Sequence, residues 1–173
     1  MTKTRQDVIK EIAIAEEEGY RGNLVRWDLR RADLSGMDLT EADLIGANLI
    51  GANLIGANLT GADLSEADLA YVNLVWAILT NADLAFATLS RADLTGAILT
   101  NADLIEANLL EAKLGQAKLG QAKLGQAKLR RANLTRKRRY LGRYFAHPMM
   151  QNRRAKRDDY KPSAALVTGH YVP

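Results

Sequence analysis

The stretch ADLIGANLIGANLIGANLTGADLSEADLA, residues 42–70, returns every fifth position to one phrase: a small residue, then Asp or Asn, then Leu. Leu recurs at this interval without a break from Leu24 to Leu134, which makes 23 pentads over residues 22–136. No ordinary element accommodates such a period. On an α-helix five residues advance about 500°, so the leucines would circle the axis instead of forming a stripe. On a strand an odd period sends alternate leucines to opposite faces. The pattern becomes consistent only if each pentad turns the chain by a fixed angle that returns every Leu to one interior, as in a coiled solenoid. The small residue two before Leu, as at Ala32, Ala42, Ala47 and Ala52, then shares the inward side. The Asp or Asn between them points outward, and the two residues after Leu suit a corner.

The pentads ADLIG (42–46), ANLIG (47–51) and ADLSE (62–66) resemble the pentapeptide-repeat family, in the style of its cyanobacterial members. The resemblance covers about two thirds of the chain. It implies an all-β solenoid: a right-handed quadrilateral parallel β-helix with four pentads per coil and about six coils, roughly 28 Å long at about 4.8 Å per stacked strand. The open ends of such a rod need covering, and both flanks are suited to it. Residues 1–21 form an N-terminal cap, with Thr4 starting a helix that runs to about Glu18, Asp7 in its first turn, Val8, Ile12 and Ala15 on one face, and Gly19 as the stop. Residues 22–136 are the β-helix. Tyr140, Leu141, Tyr144 and Phe145 share one face of a C-terminal cap helix over 137–148, ended by His147-Pro148. Residues 149–173 read as a basic, flexible tail. Trp27 and Met37 occupy inward slots usually held by Ala and fill space beneath the N-terminal cap.

With four pentads per coil, residues 20 apart stack, and the sequence sorts into four faces. One stacks Asp43, Asp63, Asp83 and Asp103, with Glu66 and Glu106 beside them, as a candidate acidic docking face. Carboxylates about 4.8 Å apart repel by roughly a kcal/mol or less per neighbour in water, so the ladder is tolerable. Another face stacks Thr40, Thr60, Thr80 and Thr100, and places Ile78 and Ile98 where Asp or Asn is expected. It carries no charge between Glu41 and Lys118 and is a candidate neutral docking face. Tyr71, Trp76 and Phe86 form an aromatic belt at mid-height, with Tyr71 under Arg91 in a position for a cation–π contact. Lys113, Lys118, Lys123 and Lys128 replace Asp or Asn in four successive pentads and ring the rod.

The charge is uneven. The chain has 173 residues and a net charge of +4, yet residues 1–111 carry 8 basic and 18 acidic side chains while residues 112–173 carry 16 basic and 2 acidic. The basic segment includes Arg136, Lys137, Arg138, Arg139, Arg143, Arg153, Arg154 and Arg157, with tyrosines interleaved, and suits phosphates or anionic headgroups. There is no cysteine, and both histidines fall in the last 27 residues, so disulfides, thiolate metal sites and a His-based catalytic cluster in the repeat are excluded. No Gly-rich phosphate loop or activated nucleophile stands out. No cofactor and no metal are expected. The opening is too charged for a signal peptide and no long apolar run is present, so a cytoplasmic chain without a transmembrane segment is expected.

These features point to a non-enzymatic structural or protein-interaction module with a protein partner, monomeric by itself. The resemblance implies an alternative, because some bacterial members imitate DNA and bind type II topoisomerases. The acidic face fits that role, whereas the basic C-terminal segment departs from it and points to direct nucleic-acid binding instead.

Overall fold

The computed structural model describes residues 2–134. The cap helix expected over 137–148, the tail over 149–173 and the basic segment from Arg136 to Arg157 lie outside the described residues. Within them, nineteen parallel β-bridges join each Asp/Asn-position residue to the one 20 positions on, from Asn23↔Asp43 to Lys113↔Asn133. Five residues per turn and 20 per bridge give four sides per coil.

One pentad shows how this arises. The Trp27 N–H donates to the Leu24 carbonyl at 3.1 Å, closing a four-residue turn, and Arg26 at its third position has φ 55°. Positive φ at the third position alone marks a type II turn. It recurs two residues after each Leu, at six glycines and at sixteen other residues with φ between 55° and 63°. Such a conformation costs a non-glycine residue about 1 kcal/mol or more, so the rest of the pentad must hold it.

The backbone hydrogen bonds do so. Leu24 N–H donates to Asp43 O at 2.7 Å and Arg26 N–H to Ile45 O at 2.9 Å, one coil on, while Asp43 N–H donates back to Gly22 O at 2.9 Å. The remaining N–H, on the residue after Leu, is met by a side chain: Val25 N–H donates to Asn23 Oδ1 at 3.2 Å. All five N–H groups of the unit are therefore bonded, as buried or half-buried backbone requires. The core follows from the same spacing. Each Leu from Leu24 to Leu114 is at most 3% exposed, the alanines two positions before them are buried, and no polar or charged residue is buried among the described residues.

Helix α1 (Arg5–Glu18) begins at Thr4, whose side chain accepts from Asp7 N–H while the Asp7 carboxylate accepts from Thr4 N–H, and it ends at Gly19 with φ 75°. Val8 joins the leucine core, and Ile12 packs against it. Gly22, in the first Ala slot, is without a side chain because Ile12 occupies the place where a Cβ would stand. The first coil has no neighbour below it, so its backbone bonds go to the N-terminal segment. Lys3 N–H donates to Asp28 O at 2.6 Å, the Arg5 guanidinium donates to Asp33 O and Ser35 O at 3.1 and 3.0 Å, and the Glu11 carboxylate accepts from Asn23 N–H at 3.1 Å. Trp27 is packed against the core with Lys3 Nζ 4.5 Å above its ring, and Met37 is buried.

Candidate interaction faces

Because the interior is apolar throughout, recognition chemistry is confined to the outward columns. The first face carries Asn23, Asp43, Asp63, Asp83, Asp103 and Lys123 in bridge order. Its aspartates are half-buried and have a structural task. Each turns one carboxylate oxygen onto the N–H two residues on: Asp43 to Ile45 at 3.2 Å, Asp63 to Ser65 at 3.0 Å, Asp83 to Ala85 at 2.9 Å and Asp103 to Ile105 at 3.0 Å. The acid column is therefore first a column of turn caps. Asn48, Asn53 and Asn73 do the same elsewhere, so charge is separable from the cap. Asp103 also receives Lys123 Nζ at 2.9 Å. Burial pushes the Asp103 carboxyl up, but the Lys123 and Ile105 hydrogen bonds and the Lys123 charge outweigh it and hold its pKa below the ordinary value. Along the adjoining corner, Phe86 stands between Glu66 and Glu106 and is 57% exposed.

The fourth face runs Asp38, Asn58, Ile78, Ile98, Lys118. At its lower end the polar groups form a network. Thr40 Oγ1 donates to Asp38 Oδ1, and Asn58 Nδ2 donates to Thr40 Oγ1 at 2.8 Å and to Asp38 Oδ1 at 3.3 Å, while Thr60 Oγ1 donates to Asn58 Oδ1 at 2.6 Å. The Thr40 hydroxyl and N–H hold the Asp38 carboxyl below its usual range. Above Asn58 the caps stop. Ile78 and Ile98 offer no acceptor to the N–H of Thr80 and Thr100, an omission that costs the fold on the order of 1 kcal/mol for each lost bond. Ile78 is 36% exposed. Trp76, at the corner leading into this face, is 60% exposed and lies over Gly96, whose missing side chain makes room for the ring. Ile55 and Val75 stand on the third face, the one this corner closes, so the corner is an uncharged apolar ridge.

The aromatic belt separates into distinct contacts. Arg91 lies over the Tyr71 ring at 5.5 Å and donates to its hydroxyl at 2.7 Å, then pairs with Glu111 at 2.9 Å, which meets Arg131 at 3.4 Å. This ladder ties up the second face. The lysine ring also divides: Lys113 and Lys123 reach the aspartates one coil below, Asp93 and Asp103, at 3.0 and 2.9 Å. Lys118 and Lys128 stand above Ile98 and Asn108, and among the described residues neither has an acidic partner. This difference between lysines and the capping duty of the aspartates went unread in the sequence, although the 20-residue stacking contained the first. A cleft of about 480 Å³ opens between α1 and the first coil, lined by Ile12, Glu16, Tyr20, Arg21, Asp38 and Glu41.

A model of pentapeptide repeats matches the chain in eight copies across residues 28–65, 47–84, 57–96, 82–121 and 112–136. The chain belongs to the pentapeptide-repeat family. Membership carries the right-handed quadrilateral β-helix, whose four faces are the columns described above. Solved structures of pentapeptide-repeat proteins are similar to it. Rfr23 from the cyanobacterium Cyanothece 51142 is 28% identical over 72% of this chain and 93% of its own, with a TM-score of 0.46. HetL, a pentapeptide-repeat protein involved in heterocyst differentiation regulation from Nostoc sp. strain PCC 7120, is 34% identical over 65% and 64%, with a TM-score of 0.27. The plasmid-mediated fluoroquinolone resistance protein QnrB1 is 22% identical over 68% and 70%, with a TM-score of 0.46. No curated protein sequence matches the chain. Among the described residues no helix of this pentapeptide-repeat protein is long and apolar enough to cross a membrane.

Proposed function

We propose that this pentapeptide-repeat chain is a non-enzymatic, cytoplasmic protein-interaction rod that docks a protein through its neutral fourth face, formed by Thr40, Thr60, Thr80, Thr100, Ile78 and Ile98. The observation that carries the reading is the break in the capping column at Ile78 and Ile98: two positions give up backbone caps to expose apolar surface beside Trp76. In this reading the rod has about six coils over residues 22–136, with residues 1–21 as its lower cover. The test compares proteins captured from native cytosol by the wild-type chain, by Ile78→Asn/Ile98→Asn and by Asp43→Asn/Asp63→Asn/Asp83→Asn. Loss of a captured protein with the first variant and its retention with the second supports docking by the fourth face. The reverse result assigns docking to the acidic face of Asp43, Asp63, Asp83, Asp103, Glu66 and Glu106.

A nucleic-acid role is the second reading, and the acidic ladder supports its mimicry form, since Asp43, Asp63 and Asp83 keep a second carboxylate oxygen for a basic partner after capping the backbone. Direct binding rests on the sequence from Arg136 to Arg157 alone. Retention of the full chain on DNA that falls steeply with salt and disappears on deleting residues 137–173 supports it, and no retention at physiological salt refutes it.

A further inference from the structure

We propose that the fourth face binds a second copy of this chain, with the two rods antiparallel about a twofold axis through Ile78. The inference rests on the reading of that face as an interaction surface and names its occupant.

The charge layout carries it. Bridges place Asp38, Asn58, Ile78, Ile98 and Lys118 at successive heights in one column, with Ile78 in the middle. A twofold axis lying in the plane of the face and perpendicular to the rod inverts height while keeping each column opposite itself. It sets Asp38 of one copy against Lys118 of the other at both rims, and Ile78 against Ile78 at the centre. Thr80 then faces Thr80, and Asn58 faces Ile98. The parallel alternative would set Asp38 and Lys118 each against its own kind, which electrostatic complementarity disfavours.

Lys118 supplies an independent observation. Of the lysines in this tier, Lys113 and Lys123 are engaged by aspartates of their own chain, whereas Lys118 sits above Ile98 and, like Lys128 over Asn108, has no acidic partner among the described residues. The other faces do not offer the same match. On the first face, antiparallel pairing would oppose Asp63 and Asp83. On the second, Asp28 would meet Lys128, but Asp28 is already held by Arg30 of its own chain at 2.7 Å and Arg30 would oppose Arg130; on the third, inversion about Asn73 sets Asp33 against Lys113, already held by Asp93. The face is short, about 19 Å between its charged rims at about 4.8 Å per coil. A face this short buries less than a standard-size interface, so association is weak and concentration-dependent.

Sedimentation velocity of the full chain over a concentration series at low salt reads the association. The wild type is expected to shift reversibly from monomer toward dimer. Asp38→Lys and Lys118→Asp each place like charges at the rims and are expected to weaken association by about tenfold or more. An equimolar mixture of the two variants restores opposite charges at both rims and is expected to recover the dimer, as is the double exchange within one chain. Lys is already accommodated at this pentad position in Lys113 and Lys123, and circular dichroism checks that each variant keeps its fold. A wild type that stays monomeric at every concentration overturns the proposal, as does a dimer indifferent to the single exchanges or a mixture that fails to recover. In each of those cases, loss of a cytosolic partner with Ile78→Asn/Ile98→Asn would still uphold the broader reading of the face.

Discussion

An Asp or Asn before the central Leu looks like a surface residue and acts as part of the backbone. Asp63 illustrates this: its Oδ1 accepts from Ser65 N–H at 3.0 Å and from the Ser65 hydroxyl at 2.6 Å. Replacing it by Ala leaves the Ser65 N–H without its cap and is expected to destabilise the chain by about 1 kcal/mol, whereas Asp63→Asn preserves the acceptor and is expected to be nearly neutral. Ile78→Asn should stabilise, because it supplies the cap that Thr80 lacks. Urea denaturation of the three variants measures all of this; equal losses for Asp63→Ala and Asp63→Asn would show that charge, not capping, is what the position provides. The alternation of Ala and Leu was legible in the sequence because apolar side chains reveal their environment by type. The caps were not, since a capping Asp and a solvated Asp look alike until the N–H it meets is located. The corner was equally hidden. Gly marks a positive φ, but residues as different as Trp76, Glu66 and Arg91 adopt it here, held by hydrogen bonds to the next coil that no single pentad displays.

At the scale of the element, α1 is the point where a repeating structure meets its end. The signals for its start and stop, Thr4 with Asp7 and then Gly19, are local and were readable. How it joins the rod depends on side chains at no repeating position. Arg5 donates to two carbonyls of the first coil and Glu11 accepts from a third backbone group, Asn23 N–H. Such groups on an uncovered coil invite pairing with another chain. Arg5→Ala is expected to lower stability by about 1–2 kcal/mol through the loss of charge-assisted bonds and to increase light scattering on heating. A variant that melts and scatters like the wild type would remove Arg5 from that role.

At the scale of the whole molecule, ionised carboxylates are built into the rod from bottom to top. Hydrogen bonds from Ser35 hold Asp33 below its usual pKa and those from Thr40 do the same for Asp38. Burial pushes Asp93 up, but hydrogen bonds from Thr95 and Lys113 more than reverse it. A carboxyl with a lowered folded-state pKa stabilises the fold above its unfolded value, about 3.9 for Asp, and loses that contribution as pH falls through the folded value. Thermal stability should therefore stay nearly level from pH 7 to about 5 and decline below about pH 4. Asp93→Asn/Asp103→Asn should flatten the decline, and melting curves that superimpose at pH 7 and pH 2.5 would contradict the linkage. The period of five makes the rod legible in the sequence, and counting by 20 exposes the acidic and neutral columns. Which lysines are neutralised depended on what lies one coil below each, a comparison between pentads that reading along the chain passes over.

The closed five-residue unit also governs how such a chain can change length. Adding or losing a single pentad leaves every hydrogen bond within the unit intact but moves all later columns around by a quarter turn, so Lys118 would exchange sides with its neighbours while the core stayed filled. Adding or losing four pentads lengthens or shortens the rod with each column in place. The near-identical AKLGQ pentads from Ala112 to Gln126 are a run in which such slips leave almost no trace in composition, yet each slip re-addresses which side of the rod carries which charge.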